Sequence, residues 1–207
     1  SHSVGYFFEP LLKAHNRKKY KIYCYANVIQ SDNVTERLRS ETDQWTSIVG
    51  IKDEDVAGMI RNEGIDILVD LSGHSGKNRL LVFAYKPAPI QVTWLGYPNT
   101  TGMKAIDYRF TDEQLDPDNF HKYYIEESIC LPTGLFCYSP PEFAPPVAPL
   151  PAKKNGFVTF GSFNANIKIN PYIMSIWAQV LGANKNSRLI LKFAGGDDQL
   201  LREYYFT

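Results

Sequence analysis

The sequence predicts an α/β protein with parallel strands, arranged in two blocks of unequal size. Three observations lead to this fold class. Short apolar segments alternate with helical segments of about ten residues, which is typical of right-handed βαβ units. One segment, residues 65–71, is almost entirely apolar, as strands covered on both faces are, and we expect it to be central in its sheet. Seven of the 13 prolines fall within residues 132–151 and separate the two blocks.

The first block begins with a helix whose apolar residues fall on one face, and alternating strands and helices follow it. Asp32 and Asp53 favour the N-cap positions of the second and third helices, and Gly64 can end the third helix as a C-terminal glycine. The predicted elements are helix 4–15, strand 20–28, helix 33–38, strand 45–49, helix 54–62, strand 65–71, helix 78–85 and strand 90–95.

The second block follows the proline-rich connector and resumes the same rhythm: strand 157–162, helix 171–181, strand 188–193 and helix 198–204. Pro171 suits the first turn of its helix, because the N–H that proline lacks would have no partner there. Two strands and two helices cannot enclose a core. We therefore expect a fragment, or a second block that borrows its missing layers. The predicted domains are residues 1–131, the connector 132–155 and the incomplete block 156–207.

Composition excludes several classes of protein. The 22 Lys and Arg residues balance the 22 Asp and Glu residues, whereas a nucleic-acid-binding module needs excess positive charge to neutralise phosphates. No apolar run approaches the roughly 20 residues that span a bilayer, and the N-terminus does not resemble a signal peptide. The three cysteines lack the spacing of a disulfide framework or a zinc site. We expect them to be buried as small apolar residues in a reducing compartment, the cytoplasm: Cys24, Cys130 and Cys137.

Candidate binding loops follow the strands, because ligands of open α/β sheets bind beyond the carboxyl ends of the strands. In residues 72–77 the glycines allow close backbone approach, and the hydroxyls and Lys77 suit phosphate or sugar. The alternative for this loop is a glycine pair with His74 bonded to backbone. Residues 94–102 offer amides and hydroxyls beside the rings of Trp94 and Tyr97, an arrangement that suits a sugar. The alternative there is a tight turn with a packed Trp94.

A third loop, residues 162–168, combines Lys168 with the start of the helix at Pro171, which suits a diphosphate. The alternative is a solvated helix cap. This loop does not match the P-loop pattern. Asp116, Pro117 and Asp118 have the Asp-x-Asp form of metal-dependent sugar-nucleotide enzymes, but the proline and the polar surroundings favour a turn.

The motifs also carry a resemblance. Residues 87–98 read Pro-Ala-Pro-Ile-Gln-Val-Thr-Trp-Leu-Gly-Tyr-Pro. Residues 64–74, ending Asp-Leu-Ser-Gly-His, come before them, and residues 100–102 (Thr-Thr-Gly) and 159–164 (Thr-Phe-Gly-Ser-Phe-Asn) come after them. In this order the segments resemble the catalytic region of the O-linked N-acetylglucosamine transferases and their bacterial SPINDLY-like relatives, over almost the whole chain.

The resemblance implies a GT-B fold, with a Rossmann-like N-terminal lobe and the beginning of a second Rossmann-like lobe. It implies transfer of a sugar, foremost N-acetylglucosamine, from a UDP-sugar substrate to Ser or Thr hydroxyls of a protein or peptide, with no metal and no cofactor. Tetratricopeptide repeats are expected in the parent chain, and neither nucleic acid nor membrane is an expected partner. His2 is the implied catalytic residue. The implied donor-binding residues are Leu95, Gly96, Tyr97, Pro98, Asn164 and Lys168.

Two departures from the family pattern affect the expected activity. Ala165 stands where the family usually has Asn or Gln near the nucleotide, and the family's His-Thr-Thr motif is absent from the 207 residues. We therefore expect the isolated chain to be inactive. The alternative function is a non-catalytic α/β module that binds a sugar or a partner.

Overall fold

A computed structural model describes residues 3–117, 121–141 and 143–193, together with Gln199 and Glu203. The chain forms two compact units, residues 1–142 and 143–207. The first unit contains helices α1 to α4 and strands β1 to β6. In chain order they are α1 (Ser3–Ala14), β1 (Tyr23–Ala26), α2 (Asn33–Ser40), β2 (Gln44–Ser47), α3 (Asp53–Asn62), β3 (Ile67–Asp70), α4 (Leu80–Ala84), β4 (Ile90–Thr93), β5 (Tyr108–Thr111) and β6 (Glu127–Cys130), with a short 3₁₀ helix at His121–Tyr123.

All strand pairs among the described residues of this unit are parallel, which confirms the predicted fold class. β1 pairs with β2, and a four-stranded sheet has the order β3-β4-β5-β6. The expectation that residues 65–71 form a central strand is wrong, because β3 lies at one end of that order. Its side chains alternate: Leu68 and Asp70 are buried, and Ile67 and Val69 are exposed. An apolar run favours a buried strand, but the pairing partners decide its position in the sheet.

The strands are shorter than predicted, since each one has four residues. Strands β5 and β6 are not predicted by the sequence patterns, because their segments carry polar residues at buried positions, such as Arg109 and Thr111 in β5, and so show no apolar pattern. Asp32 caps α2 as predicted, and its Oδ1 accepts a hydrogen bond from Thr35 N at 2.9 Å.

The predicted N-cap of α3 is wrong. Lys52 occupies the cap position and Asp53 is the first helical residue. The Asp53 carboxylate accepts a hydrogen bond from Arg79 Nε at 2.6 Å, and the same guanidinium donates to the carbonyl oxygens of Ile48 and Ile51. Asp53 therefore holds a distant arginine that ties the loop before α3 to the residue before α4.

Two apolar clusters stabilise the first unit. The larger one packs α3 and α4 against the sheet, and its buried members are Ile48, Val56, Ala57, Ile60, Leu68, Leu80, Val82, Phe83, Ala88 and Ile106. The second cluster lies at the end of β4, where residues of α1 pack against the start of the loop that follows β4. Its members are Trp94, Leu95 and Leu135, packed against Val4, Phe7, Phe8, Leu71 and Phe110.

A buried ion pair holds the carboxyl end of β5. Arg109 and Asp116 each have 2% of their side chain exposed, and they contact each other directly. Asp116 also accepts hydrogen bonds from Thr111 Oγ1 at 2.6 Å and from the Tyr124 hydroxyl at 2.7 Å. Burial by itself raises the pKa of Asp116, but the hydrogen bonds from Arg109, Thr111 and Tyr124 outweigh it and lower the pKa. Asp116 therefore has a structural role. Asp118, the other acidic residue of the Asp-x-Asp pattern, lies outside the described residues.

The second unit contains α5 (Pro151–Asn155), β7 (Thr159–Ser162), a 3₁₀ turn (Asn166–Lys168), α6 (Pro171–Ala183) and β8 (Arg188–Leu191). β7 and β8 form a parallel pair, and α6 has no buried residue. Within residues 143–193 only Ile169 is buried among the apolar residues, in agreement with the expectation that this block does not enclose a core. The predicted helix 198–204 lies largely outside the described residues.

Glu9 connects the first two helices. Its carboxylate accepts hydrogen bonds from Arg37 Nε at 2.9 Å and Nη2 at 3.0 Å, and it lies 3.0 Å from Lys13 Nζ. The hydrogen bond with Arg37 lowers the pKa of Glu9 to about 2, although burial by itself raises that pKa.

Among the described helices, none is long and apolar enough to cross a membrane. The three cysteines are free thiols, but the expectation that they are buried is wrong. Cys24 and Cys137 are half-buried, and Cys130 is exposed because it ends β6, which lies at one end of its sheet.

The Arg109–Asp116 pair provides a test of buried charge. We expect Arg109→Ala to lower the free energy of unfolding by about 3–5 kcal/mol, because Asp116 is left buried without its counter-ion. Arg39→Ala, in an exposed pair with Glu36, is the control and should cost about 1 kcal/mol or less. Urea unfolding measures both variants. Equal losses would contradict the assigned role of the pair.

Glu9 provides a test of pH dependence. The pKa of Glu9 is lowered in the folded chain, so its stabilisation is complete above the unfolded value of 4.5 and is lost as the pH falls towards about 2. We expect Glu9→Gln to reduce the free energy of unfolding by about 1–3 kcal/mol at pH 7 and to have a much smaller effect near pH 2, where most of the stabilisation is already lost. Urea titrations at both pH values measure the difference. Glu36→Gln is the exposed control, and a pH-independent loss at Glu9 would contradict the ion pair.

Candidate functional site

The loops that follow β3 and β4 lie side by side at the carboxyl edge of the four-stranded sheet. This arrangement brings together two of the predicted binding segments, residues 72–77 and 94–102. The third segment, residues 162–168, follows β7 in the second unit. His2, the predicted catalytic residue, lies outside the described residues.

Asp70, the last residue of β3, holds the start of the first loop. Its side chain is buried. Oδ1 accepts a hydrogen bond from Ser72 N at 3.1 Å, and Oδ2 accepts hydrogen bonds from Gly73 N at 2.8 Å and Thr93 Oγ1 at 2.7 Å. Three donors thus satisfy the buried carboxylate, which joins the first loop to the end of β4. This role of Asp70 is not among the predictions from the sequence. The signal for it is an acidic residue at the end of an apolar strand, followed by Leu-Ser-Gly.

The two loops cross with their backbones in contact. A Cβ atom on Gly96 would overlap the carbonyl oxygen of Leu71, and a Cβ atom on Gly73 would overlap the Cβ of Tyr97. Leu95, just before the crossing, has a φ of 74°, and Gly73 has a φ of 50°. The predicted close approach at the glycines is therefore confirmed for Gly73. At Gly76 an added Cβ would meet nothing within 4 Å.

Glu126 holds the far end of the second loop. Glu126 is 3% exposed, and its carboxylate accepts hydrogen bonds from Thr101 N at 2.7 Å, from the Thr101 hydroxyl, and from Thr100 Oγ1 at 2.8 Å. Burial raises the pKa of Glu126, but the hydrogen bonds from Thr101 and Thr100 outweigh burial and lower the pKa. Glu126 therefore acts as an ionised anchor. It lies 25 residues from Thr101 in sequence, and no pattern in the sequence indicated the contact.

These contacts correct two expectations about residues 94–102. The Thr100 and Thr101 hydroxyls, predicted to be exposed to a sugar, both donate to Glu126. Trp94 is 7% exposed, and its Nε1 donates to the Leu135 carbonyl at 3.1 Å. The alternative of a tight turn with a packed Trp94 is therefore correct for that ring. Of the two aromatic residues, Tyr97 remains half-buried beside the exposed Pro98.

His74 links the two loops from the outside. Its Nε2 lies 2.8 Å from the Thr101 carbonyl oxygen, as in the alternative in which His74 bonds to backbone. The rings of His74 and Tyr97 meet edge to face, with centroids 5.5 Å apart and an interplanar angle of 81°. Lys77 is exposed, and its carbonyl accepts a hydrogen bond from Asn27 Nδ2 at 3.2 Å.

In the second unit, Lys168 ends the 3₁₀ turn just before α6. Its Nζ lies 3.5 Å from Asn164 Oδ1, and both residues are exposed. Asn170 caps α6 by accepting a hydrogen bond from Ile173 N at 3.0 Å. Lys168 therefore lies three residues before Pro171, the first residue of α6, and the predicted cation does precede the helix N-terminus along the chain.

No group of three or more His, Cys, Asp or Glu residues in the described part of the chain could hold a metal ion.

The loop crossing provides a test. We expect Gly96→Ala to lower the free energy of unfolding by about 1–3 kcal/mol, because the added methyl meets backbone that cannot rotate away. Gly58→Ala in α3 is the matched control. There an added Cβ meets nothing within 4 Å, and the change should stabilise the helix by up to about 1 kcal/mol. Thermal unfolding distinguishes the two, and a neutral Gly96→Ala would contradict the crossing.

Comparison with known proteins gives consistent results. The probable UDP-N-acetylglucosamine–peptide N-acetylglucosaminyltransferase SPINDLY of Solanum lycopersicum is 46% identical over 196 residues, which cover 93% of this chain and 21% of the relative. The corresponding SEC protein of Arabidopsis thaliana is 29% identical over 216 residues, covering 99% of this chain and 22% of its own length. The chain thus spans about a fifth of the length of these curated relatives.

The fold agrees with these matches. A solved structure of a mutant O-GlcNAc transferase from Thermobaculum terrenum superposes with a TM-score of 0.91 at 41% identity, covering 98% of this chain and 38% of that one. This similarity confirms the GT-B fold that the resemblance implied. The profile of glycosyl transferase family 41 matches residues 1–140. The chain belongs to glycosyl transferase family 41.

Proposed function

We propose that the chain is part of a glycosyltransferase that transfers N-acetylglucosamine from UDP to Ser or Thr hydroxyls of a protein or peptide. The names of the SPINDLY and SEC relatives supply the donor and the peptide acceptor. The observation that carries the proposal is the crossing of two anchored loops at the carboxyl edge of the sheet, where ligands of α/β folds bind. The motif of residues 87–98 leads into this crossing.

Residues 95–98 are proposed to contact the donor sugar. Leu95 turns the chain with its positive φ and buries its side chain. Gly96 lets the backbone of Leu71 lie where a side chain would be, and Pro98 is exposed. The half-buried Tyr97 and the exposed Pro98 are the parts of this segment that are proposed to face the sugar. Anchoring by Asp70 and Glu126 lowers the entropy that the loop would lose on binding.

Lys168 and Asn164 are proposed to contact the donor diphosphate. When an acceptor hydroxyl attacks the anomeric carbon, its oxygen bonds to that carbon and its proton passes to a general base. The bond from the carbon to the diphosphate oxygen breaks, and negative charge develops on the leaving UDP. A lysine ammonium beside those oxygens stabilises the charge as it forms. In this proposal the UDP-sugar is the substrate, and neither a metal nor another cofactor is required.

The remaining parts of the proposal concern the parent protein. His2 is the proposed catalytic residue, on the resemblance alone. Tetratricopeptide repeats are proposed to select the acceptor, and the cytoplasm is the proposed location because the three cysteines are free thiols. The balanced charge of the sequence supports partners other than nucleic acid.

A second candidate function is a non-catalytic α/β module that binds a sugar or a partner. The presence of Ala165 at a usual nucleotide-contact position of the family favours it. A transfer assay distinguishes the two functions: the protein that contains this chain is incubated with UDP-N-acetylglucosamine and a Ser-containing peptide. Transfer to the peptide supports the glycosyltransferase. Donor binding without transfer supports the module.

Lys168 allows a direct test of the diphosphate contact. We expect Lys168→Ala to weaken UDP binding about tenfold, because a charge-assisted hydrogen bond to phosphate is lost. Lys154→Ala, at an exposed lysine of α5, is the control and should leave the affinity unchanged. Isothermal titration of UDP measures both variants. Equal affinities for wild type and Lys168→Ala would remove Lys168 from the site.

A further inference from the structure

The His74 ring is held in one orientation by two contacts. Nε2 is bonded to the Thr101 carbonyl at 2.8 Å, and the Tyr97 ring packs edge to face against the imidazole. The partners of His74 are themselves fixed. Thr101 is 3% exposed and bonded to Glu126, and the backbone of Gly73, the residue before His74, is bonded to Asp70.

This orientation determines which ring nitrogen carries the hydrogen. A backbone carbonyl can only accept a hydrogen bond, so Nε2 must be the donor. In the uncharged imidazole, Nδ1 then keeps its lone pair and is an acceptor. Across residues 3–117, 121–141 and 143–193, no hydrogen bond or ion pair engages His74 Nδ1, and the residue is exposed.

We propose that His74 Nδ1 accepts a hydrogen bond from a hydroxyl of the donor sugar. The proposal rests on the proposed function, because residues 95–98 are the segment assigned to that sugar. His74 contacts Tyr97 of this segment, so its free acceptor lies at the same edge of the sheet. Sugar hydroxyls are donors, and an acceptor that is oriented before binding gains affinity because little freedom is lost.

The protonation pattern can be measured without any ligand. Long-range ¹H–¹⁵N correlation of the imidazole nitrogens in the whole chain should show, for the uncharged ring, hydrogen on Nε2 and none on Nδ1 of His74. A hydrogen on Nδ1 would overturn the proposal, because that atom could not then accept a hydrogen bond.

Two variants separate the two nitrogens. Glutamine places its amide nitrogen three bonds from Cβ, as Nε2 is, so His74→Gln keeps the donor to Thr101 and loses the acceptor at the Nδ1 position. Asparagine places its amide oxygen two bonds from Cβ, as Nδ1 is, so His74→Asn restores an acceptor there. His15→Gln is the matched control, since the ring of His15 packs against Tyr20, away from both loops.

Titration with UDP and with UDP-N-acetylglucosamine distinguishes a sugar contact from other roles. We expect His74→Gln to weaken UDP-N-acetylglucosamine binding about fivefold, to leave UDP binding within about twofold, and to keep the thermal midpoint of the wild type. His74→Asn should bind the nucleotide sugar more tightly than His74→Gln.

Three outcomes would contradict these expectations. Equal weakening of both ligands would show that His74 acts on the loop as a whole, and unchanged affinity with a lower rate of transfer would assign Nδ1 to the acceptor hydroxyl. Either result overturns the proposal and leaves the proposed function intact. If the wild-type protein that contains this chain binds neither nucleotide, the proposed function itself is contradicted, and the role of His74 falls with it.

Discussion

The candidate site depends on one steric constraint: the backbone of Gly96 lies directly against the carbonyl of Leu71. A side chain at residue 96 would overlap that carbonyl, so the loops after β3 and β4 can cross in this way only if residue 96 is glycine. The crossing places Tyr97 over Gly73 and brings His74 to the Thr101 carbonyl. The positions of residues 95–98 and of the His74 ring therefore follow from the absence of one Cβ atom.

Buried carboxylates stabilise this arrangement at the carboxyl edge of the sheet. Asp70 holds the first loop, Glu126 holds the end of the second loop, and Asp116 holds the segment after β5. Each accepts hydrogen bonds from at least two donors, as a buried carboxylate must to offset its loss of hydration. Because the donors include backbone N–H groups and short hydroxyl side chains, the carboxylates fix the backbone of the loops as well as their side chains. Loops anchored in this way can present a binding surface without first being ordered by the ligand.

The second unit presents a different physical situation. Its described residues form two parallel strands and one long helix, and Ile169 is the apolar residue that they bury. Phe160, Trp177 and Leu189 line a shallow apolar pocket between that helix and the strands. The unit nevertheless places Lys168 and Asn164 together at the carboxyl end of β7, because local turn geometry between a strand and a helix needs few tertiary contacts.

The sequence by itself determined the α/β class, the parallel pairing, the family and the two loops at the edge of the sheet. These depend on patterns carried by neighbouring residues: periodicity, caps such as Asp32, and the motif of residues 87–98. Only the tertiary structure decided that β3 lies at the end of its sheet. It also decided that Asp53 pairs with Arg79 and that Thr100 and Thr101 bond to Glu126 rather than facing a sugar. These contacts join residues about 25 positions apart in the chain. Folding determines which groups at that separation meet, and the pattern of neighbouring residues holds no information about it.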